Sequence, residues 1–536
     1  MTHARTPVYA PHGVCATSQP LAAAAGLHAL RRGGNAVDAA IAAAAALTVV
    51  QPGSNDIGGD LFAIVWDGQR LHGLNGSGRA PAALTPDVVT PARPTEAHGG
   101  AQAQAGGHGA MPAYGWPSVT VPGAPAGWRD LHDRFGSLPF AELFADAIGY
   151  AEHGYPVSPA VARGWAAAVD RHAILTGVEY EEWRRVWTID GRAPRAGERW
   201  RNPGAARTLR LIADSRADAF YHGEVAAALA AHSARTGGFL TAGDLAGHAS
   251  SWVAPVAAGY RGHQVWELPP NGQGVAALLA LNILDGLDLS GEDRVHLQVE
   301  AMKLGFADAH AYVADPDRVA VPTGALLSPA YAARRRAELG PTAAEPKPGD
   351  PARGGTVYLC TADADGLMVS LIQSNYLGFG SYVALPGYGF GLQNRGAGFS
   401  LDPDHPNVLA PGKRPFHTII PGFLTRDGGE PVGPFGVMGG HMQPQGHVQL
   451  LVRTLDEGLD PQAALDAPRW YWHAGRRLHA EPALGPAVLA GLRQRGHDLV
   501  EGGAFFGYGQ AIWRAPDGAG YVAGSEPRAD GCAVGW

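Results

Sequence analysis

The spacing of apolar positions predicts a helix from Pro20 to Arg32, with proline in its first turn and Gly33-Gly34 just past its end. A second helix is predicted from about Ala36 to Val49, so rich in alanine that its neighbours must pack closely against it. The glycine turn Gly53-Ser54-Asn55-Asp56-Ile57-Gly58-Gly59-Asp60 then leads into an apolar strand, Leu61 to Trp66. Helical stretches dominate from the region of Pro159 to about Ala231, with Trp165, Trp183, Trp187 and Trp200 read as core or groove lining. Further helices are predicted over Val275 to Leu284 and Glu300 to Asp315. Two stretches carry no period. Glu96 to Ala110 is built of Ala, Gly, Gln and His and reads as a mobile loop, and Pro341 to Gly355 reads as an exposed linker.

The strongest strand signal follows that linker. Thr356 to Ala362 and Leu367 to Gln373 are apolar at nearly every position, as expected of strands covered on both faces. Asp363-Ala364-Asp365-Gly366 joins them as a hairpin turn. With Gly366 in the left-handed conformation, Asp363 pairs with Leu367, and counting back along the ladder sets Thr356 opposite Ser374. Two hydroxyls then face each other.

Composition narrows the class. The 536 residues are 46% hydrophobic and 17% charged, enough for a large core, and 75 glycines with 42 prolines imply many tight turns. A formal charge of −8 leaves no basic stripe for nucleic acid. Cys15, Cys360 and Cys532 are scattered, which suggests neither a disulfide framework nor a metal site. The first residues hold no apolar run of signal-peptide length, and Ala36 to Val50 is too short to span a bilayer, so a cytoplasmic protein without membrane contact is expected.

A threonine opening a buried strand straight after Gly354-Gly355 suits an N-terminal nucleophile. Self-cleavage requires Thr356 Oγ1 to reach the Gly355 carbonyl, a bend that a side chain at position 355 would obstruct. Cleavage frees an α-amine, whose ordinary pKa of about 7.7–8.0 lets it act as general base for its own hydroxyl. The pattern Thr-x6-Asp-x-Asp-Gly, followed by Ser-Leu-Ile-Gln-Ser-Asn and Gly378-Phe379-Gly380-Ser381, resembles the nucleophile region of the γ-glutamyltransferase (γ-glutamyltranspeptidase) family. Gly33 to Ala40, Gly53 to Asp60, Asn75 to Pro81, Val437 to His441 and Pro527 to Gly531 extend that resemblance over nearly the whole chain.

The resemblance implies an α/β fold, a four-layer αββα sandwich, built from a large-chain segment (1–355) and a small-chain segment (356–536) intertwined in one unit. It implies cleavage between Gly355 and Thr356, Thr356 as nucleophile, Ser374 as its hydroxyl partner, and Gly439 and Gly440 as the oxyanion donors. Arg79 falls where the family grips the substrate α-carboxylate. Asn394, Arg395, His417, Thr418 and Tyr376 fall in the family's substrate-binding positions. No metal or organic cofactor is implied. The expected partners are a small-molecule amide bearing a carboxylate and the two chains of one precursor, with a homodimer left open.

Several positions depart from the family pattern. Thr356-Val357-Tyr358 stands where the family usually reads Thr-Thr-His. The groups that would hold a γ-glutamyl α-amine are changed: Tyr376 replaces an asparagine, Arg395 a glutamine and Gly398 an acidic residue, while a serine pair becomes His417-Thr418. Losing a carboxylate and gaining an arginine turns an ammonium site into an anion site. The sequence therefore reads as a self-processing amide hydrolase or acyltransferase acting on a γ-glutamyl or similar carboxylate-bearing acyl amide. A des-amino acyl group, as in cephalosporin (glutaryl) acylases or oxamate amidohydrolases, is the first alternative. An unprocessed, non-catalytic binding relative is the second. A serine hydrolase is disfavoured, since Gly76-Ser77-Gly78 is too short a match to a nucleophile elbow.

Overall fold

Side chains along the strand Gly355–Ala362 alternate between two cores, and this alternation sets the architecture. Val357 and Leu359 join a core with the helix Ala36–Val50. Tyr358, Cys360 and Ala362 face the other way, into a core with Phe62, Met368, Ile372, Phe423 and Ile512. A strand with apolar groups on both faces must be covered twice. It is covered by a helical layer on one side and a second sheet on the other.

The computed structural model describes residues 5–92, 109–345, 355–516 and 518–536. The first seven-stranded sheet has the order Cys532–Gly535, Val14–Thr17, Gly355–Ala362, Met368–Tyr376, Asp60–Trp66, Leu71–Asn75, Ser251–Val253. The second, also of seven strands, runs Val8–Ala10, Tyr521–Ser525, Tyr508–Arg514, Pro431–Met438, Gly422–Arg426, His263–Glu267, Val256–Tyr260. Helices Pro20–Arg31 and Ala36–Val50 cover the first sheet, and Gly274–Leu284, Arg294–Tyr312 and Met442–Leu455 cover the second. The layers are thus α, β, β, α, as expected. Each sheet takes strands from both sides of Gly355, so neither flank of that position forms a sheet on its own.

The alanine-rich helix is buried along its whole length. Its start is fixed by a capping box in which the Asn35 side chain accepts from the N–H of Asp38 and Asp38 accepts from the N–H of Asn35. Asp38 also takes the N–H and hydroxyl of Ser137. A carboxylate inside an apolar tract is accommodated because one local donor, the Asn35 N–H, and long-range donors from Ser137 and Leu138 all serve it.

In the hairpin, Gly366 has φ +88°, Asp363 N–H donates to the Leu367 carbonyl at 3.2 Å, and Ala362 pairs with Met368. The expected register holds from Val357 onward. At its start the ladder shifts, with Gly355 opposite Tyr376 and Val357 opposite Gln373, so Thr356 sits in a bulge. The later helix begins earlier and ends sooner than the sequence suggests, spanning Arg294–Tyr312 and giving way to extended backbone at Val313. The low-complexity stretch expected as a loop lies outside the described residues except for Gly109 and Ala110, and residues 346–354 of the expected linker lie outside them too. Among the described residues no helix is long and apolar enough to cross a membrane.

Candidate active site

Thr356 and Ser374 are both fully buried, with Oγ1 and Oγ 3.1 Å apart. The bulge turns Thr356 out of the ladder while Ser374 remains paired to Asp60 of the next strand. Ser374 Oγ accepts from the Tyr376 N–H at 2.8 Å and from Arg395 Nη2 at 3.1 Å. Tyr376 has φ +79°, a left-handed conformation costly for a bulky residue, and this turn aims its N–H back at Ser374. Both donors draw electron density from Ser374 Oγ and so make its hydroxyl a stronger hydrogen-bond donor.

Arg395 is the charge at the centre. It has no exposed surface, and its second terminal nitrogen, Nη1, donates to Thr418 Oγ1 at 2.7 Å. The guanidinium carbon lies 4.4 Å from the centroid of the Tyr376 ring. Arg395 Nε has no hydrogen-bond partner among the described residues. Burial pulls this guanidinium down to about 10, against the opposing pull of Asp60. Asp60 is also fully buried; burial pushes its carboxyl up to about 7, opposed by Arg395 and by hydrogen bonds from the Gly78 N–H and Gln393. His417 Nε2 lies 3.0 Å from Asp60 Oδ2, and its Nδ1 accepts from the Ile419 N–H at 3.3 Å. The ring therefore carries its proton on Nε2 and donates to Asp60. Burial and the nearby Arg395 hold His417 well below its ordinary range, so it stays neutral.

Gly439 and Gly440 link the strand Pro431–Met438 to the helix Met442–Leu455. Their φ angles of +134° and +62° suit glycine, and a Cβ on Gly439 would come within 3.0 Å of the Phe505 ring. Among the described residues neither N–H has an acceptor, whereas both carbonyls are used: Met442 N–H donates to Gly439 and Gln443 N–H to Gly440. The pair thus presents donors beside a helix N-terminus, where backbone dipoles favour negative charge.

Three contributing residues escape a reading of the sequence. Gln443 Nε2 donates to Thr356 Oγ1 at 3.3 Å while its Oε1 accepts from the Ile420 N–H. Gln273 Nε2 donates to the carbonyls of Thr418 and Gly440, tying the binding loop to the glycine pair. Asp60 closes the glycine motif Gly53 to Asp60, which carries no sign of where its carboxylate points. The signal available was its place directly after Gly58-Gly59 at the start of a buried strand.

The remaining sequence-derived residues fall in two places. Asn394 donates to the Ala113 carbonyl at 2.6 Å and accepts from the Leu377 N–H at 3.0 Å, so it pins loops behind the site. Arg79 turns its guanidinium to Asp315, Asp317 and the Gly412 carbonyl, at 3.1, 2.6 and 3.0 Å. None of these partners belongs to the Thr356 cluster, and two carboxylates already satisfy the fork. Away from this site, His296, Glu300 and His497 bring ligand atoms within 4.8 Å of one another. Lys303 Nζ lies 2.7 Å from Glu300 Oε1, and His296 Nδ1 lies 2.9 Å from His497 Nε2, so a protein ammonium already holds the place of a cation.

The sequence model of the family described as Gamma-glutamyltranspeptidase matches residues 22–536. A glutathione hydrolase-like proenzyme of Bacillus subtilis is 36% identical over 533 residues, covering 96% of this chain and 97% of that protein. The oxamate amidohydrolase proenzyme of Klebsiella pneumoniae is 36% identical over 545 residues, covering 98% of each. A solved structure, the cephalosporin acylase from Bacillus halodurans, superposes with a TM-score of 0.93 at 50% identity, over 100% of this chain and 98% of that one. By sequence and by architecture, then, this chain belongs to the gamma-glutamyltranspeptidase family.

Proposed function

We propose that the protein cleaves itself between Gly355 and Thr356 and then hydrolyses amides whose acyl half carries a second carboxylate but no α-ammonium group. Arg395 carries this reading: a buried guanidinium, hydrogen-bonded to Ser374 and Thr418, sets a positive charge beside the nucleophile. In that surrounding a substrate ammonium would lose its hydration and meet a like charge, while a carboxylate would gain a charge-assisted partner. Asp60 does not reverse the balance, since the Gly78 N–H, Gln393 and His417 occupy it. Arg395, rather than Arg79 with its partners Asp315 and Asp317, is placed to grip the acyl carboxylate.

Processing begins with attack of Thr356 Oγ1 on the Gly355 carbonyl carbon. The C–N bond then breaks, leaving an ester on the threonine oxygen and a free α-amine on Thr356. Water hydrolyses the ester and releases the Gly355 carboxylate. In turnover the same oxygen attacks the substrate amide, and the α-amine takes its proton and passes it to the leaving amine. Gly439 and Gly440 N–H groups stabilise the oxyanion in both reactions, each worth roughly 2.7–4 kcal/mol by analogy with other oxyanion donors. Water resolves the acyl-enzyme. The glutathione hydrolase-like relative keeps a γ-glutamyl substrate as the second reading.

Matched anilides decide between the two. Glutaryl-4-nitroanilide is expected to turn over at least about ten-fold faster in kcat/KM than γ-glutamyl-4-nitroanilide, a difference of about 1.4 kcal/mol. Equal rates, or a preference for the γ-glutamyl compound, would overturn the des-amino assignment.

A further inference from the structure

A cavity of about 390 Å³ opens beside the glycine pair, within the size range of small-molecule sites. Met438, which directly precedes Gly439, lines it, as does Phe505, whose ring packs against Gly439. Two further lining residues adjoin the nucleophile's strands. Ser18 follows Thr17, whose hydroxyl donates to the Tyr358 carbonyl, and Ser54 gives its carbonyl to the N–H of Asn375, next to Ser374. The cavity therefore lies at the end of the sandwich that holds Thr356. None of Arg395, Thr418, His417 or Asp60 lines it.

Its walls have a definite chemistry. Trp165, Phe379, Met438, Phe505 and Tyr508 give an apolar, largely aromatic surface. Arg163 and Arg171 also line it, from one helix, Pro159–His172, and neither guanidinium has an ion-pair partner among the described residues. The carboxylate among the lining residues is Asp530, and its Oδ2 already accepts from the N–H groups of Ala160 and Val161 at 2.8 and 3.2 Å. Flat apolar walls with two guanidinium groups against one carboxylate leave a net positive charge that suits a planar, anionic molecule.

Building on the proposed amide hydrolysis, we infer that this cavity receives the amine half of the substrate, and that this half is an aromatic or similarly flat amine carrying its own carboxylate. The two ends of the substrate are then read separately. The acyl carboxylate meets Arg395 in the buried site, the scissile carbonyl lies at Gly439 and Gly440, and the amine side extends into the cavity with its carboxylate toward Arg171 and Arg163.

The test compares N-glutaryl-4-aminobenzoate with N-glutaryl-4-aminobenzamide, two amides of matched shape and similar leaving-group electronics that differ in charge. The aminobenzoate is expected to be favoured roughly three- to five-fold in kcat/KM, chiefly through KM, as one well-placed partly exposed charge pair supplies. In the double variant Arg163→Gln, Arg171→Gln that ratio should fall to about one, and Arg171→Lys should retain part of it. Absence of a preference in the wild type, or a preference unchanged in the double variant, overturns the inference. Calorimetry of free 4-aminobenzoate against 4-aminobenzamide supplies a readout that does not depend on turnover. Arginine-dependent binding without cleavage of either glutaryl amide would sink the proposed acyl specificity and leave the cavity assignment standing. Cleavage of both without charge preference would do the reverse.

Discussion

Thr356 Oγ1 and Ser374 Oγ meet at 3.1 Å across a bulged hairpin, and the same Ser374 oxygen accepts from the Arg395 guanidinium. One serine thus couples the proposed nucleophile to the charge proposed to select the substrate. Replacing Ser374 by alanine removes a charge-assisted hydrogen bond to Arg395 together with the hydroxyl facing Thr356. A loss of roughly 1.5–3 kcal/mol, about 10- to 150-fold in kcat, is expected. Steady-state kinetics on glutaryl-4-nitroanilide reads it, and wild-type kcat in the alanine variant would show that Thr356 needs no such partner.

The proposed nucleophile is tested by processing. Thr356→Ala is expected to run as one full-length band on denaturing electrophoresis and to form no acyl adduct by mass spectrometry. Thr356→Ser keeps an oxygen at the same place and is expected to process, more slowly. Two fragments from the alanine variant would move the cut, and the nucleophile, elsewhere.

Arg395→Gln probes the specificity argument directly. Glutamine fills part of the space and keeps a donor for Thr418, but the positive charge is gone. The expected outcome is a fall in kcat/KM for glutaryl-4-nitroanilide of about 10- to 100-fold, carried mainly by KM, with a smaller change for the γ-glutamyl compound. An equal fall on both substrates would assign Arg395 to holding Ser374 alone.

What the sequence revealed and what it hid follow from the range of the interactions. The hairpin is local, fixed by a turn with glycine at a left-handed position, so counting back from Gly366 gives the register as far as Val357 and brings the Thr356 and Ser374 hydroxyls together, but it does not show the bulge at Thr356. The two-faced apolar strands announced a sheet covered on both sides. Gln443 and Gln273 carried no comparable sign. Each acts through one amide group on partners in distant segments, and an isolated glutamine near a glycine pair has no periodicity to read. Arg79 shows the opposite case: its place in a motif is legible, but its partners Asp315 and Asp317, more than two hundred residues away in sequence, are not.

The pH dependence of stability tests the electrostatics around the site. Burial pushes Asp56 up to about 8 from 3.8, although the Ile57 and Gly391 N–H groups donate to its two oxygens at 2.8 and 2.9 Å. A carboxyl whose pKa is raised on folding binds more protons in the native than in the unfolded state between about pH 4 and 8. Stability from this group is therefore fully present below its unfolded pKa and falls as pH rises, by at most about 1.4 kcal/mol per pH unit. Asp60, pushed up to about 7, acts in the same direction up to that pH. Asp56→Asn removes one titration, so the gap in thermal midpoint between wild type and variant is expected to be widest near pH 5 and to narrow toward pH 8. Scanning both proteins at pH 5, 6.5 and 8 checks the sign. A gap that widens with pH would mean that the two N–H donors outweigh burial and that Asp56 is held as a carboxylate in the folded protein.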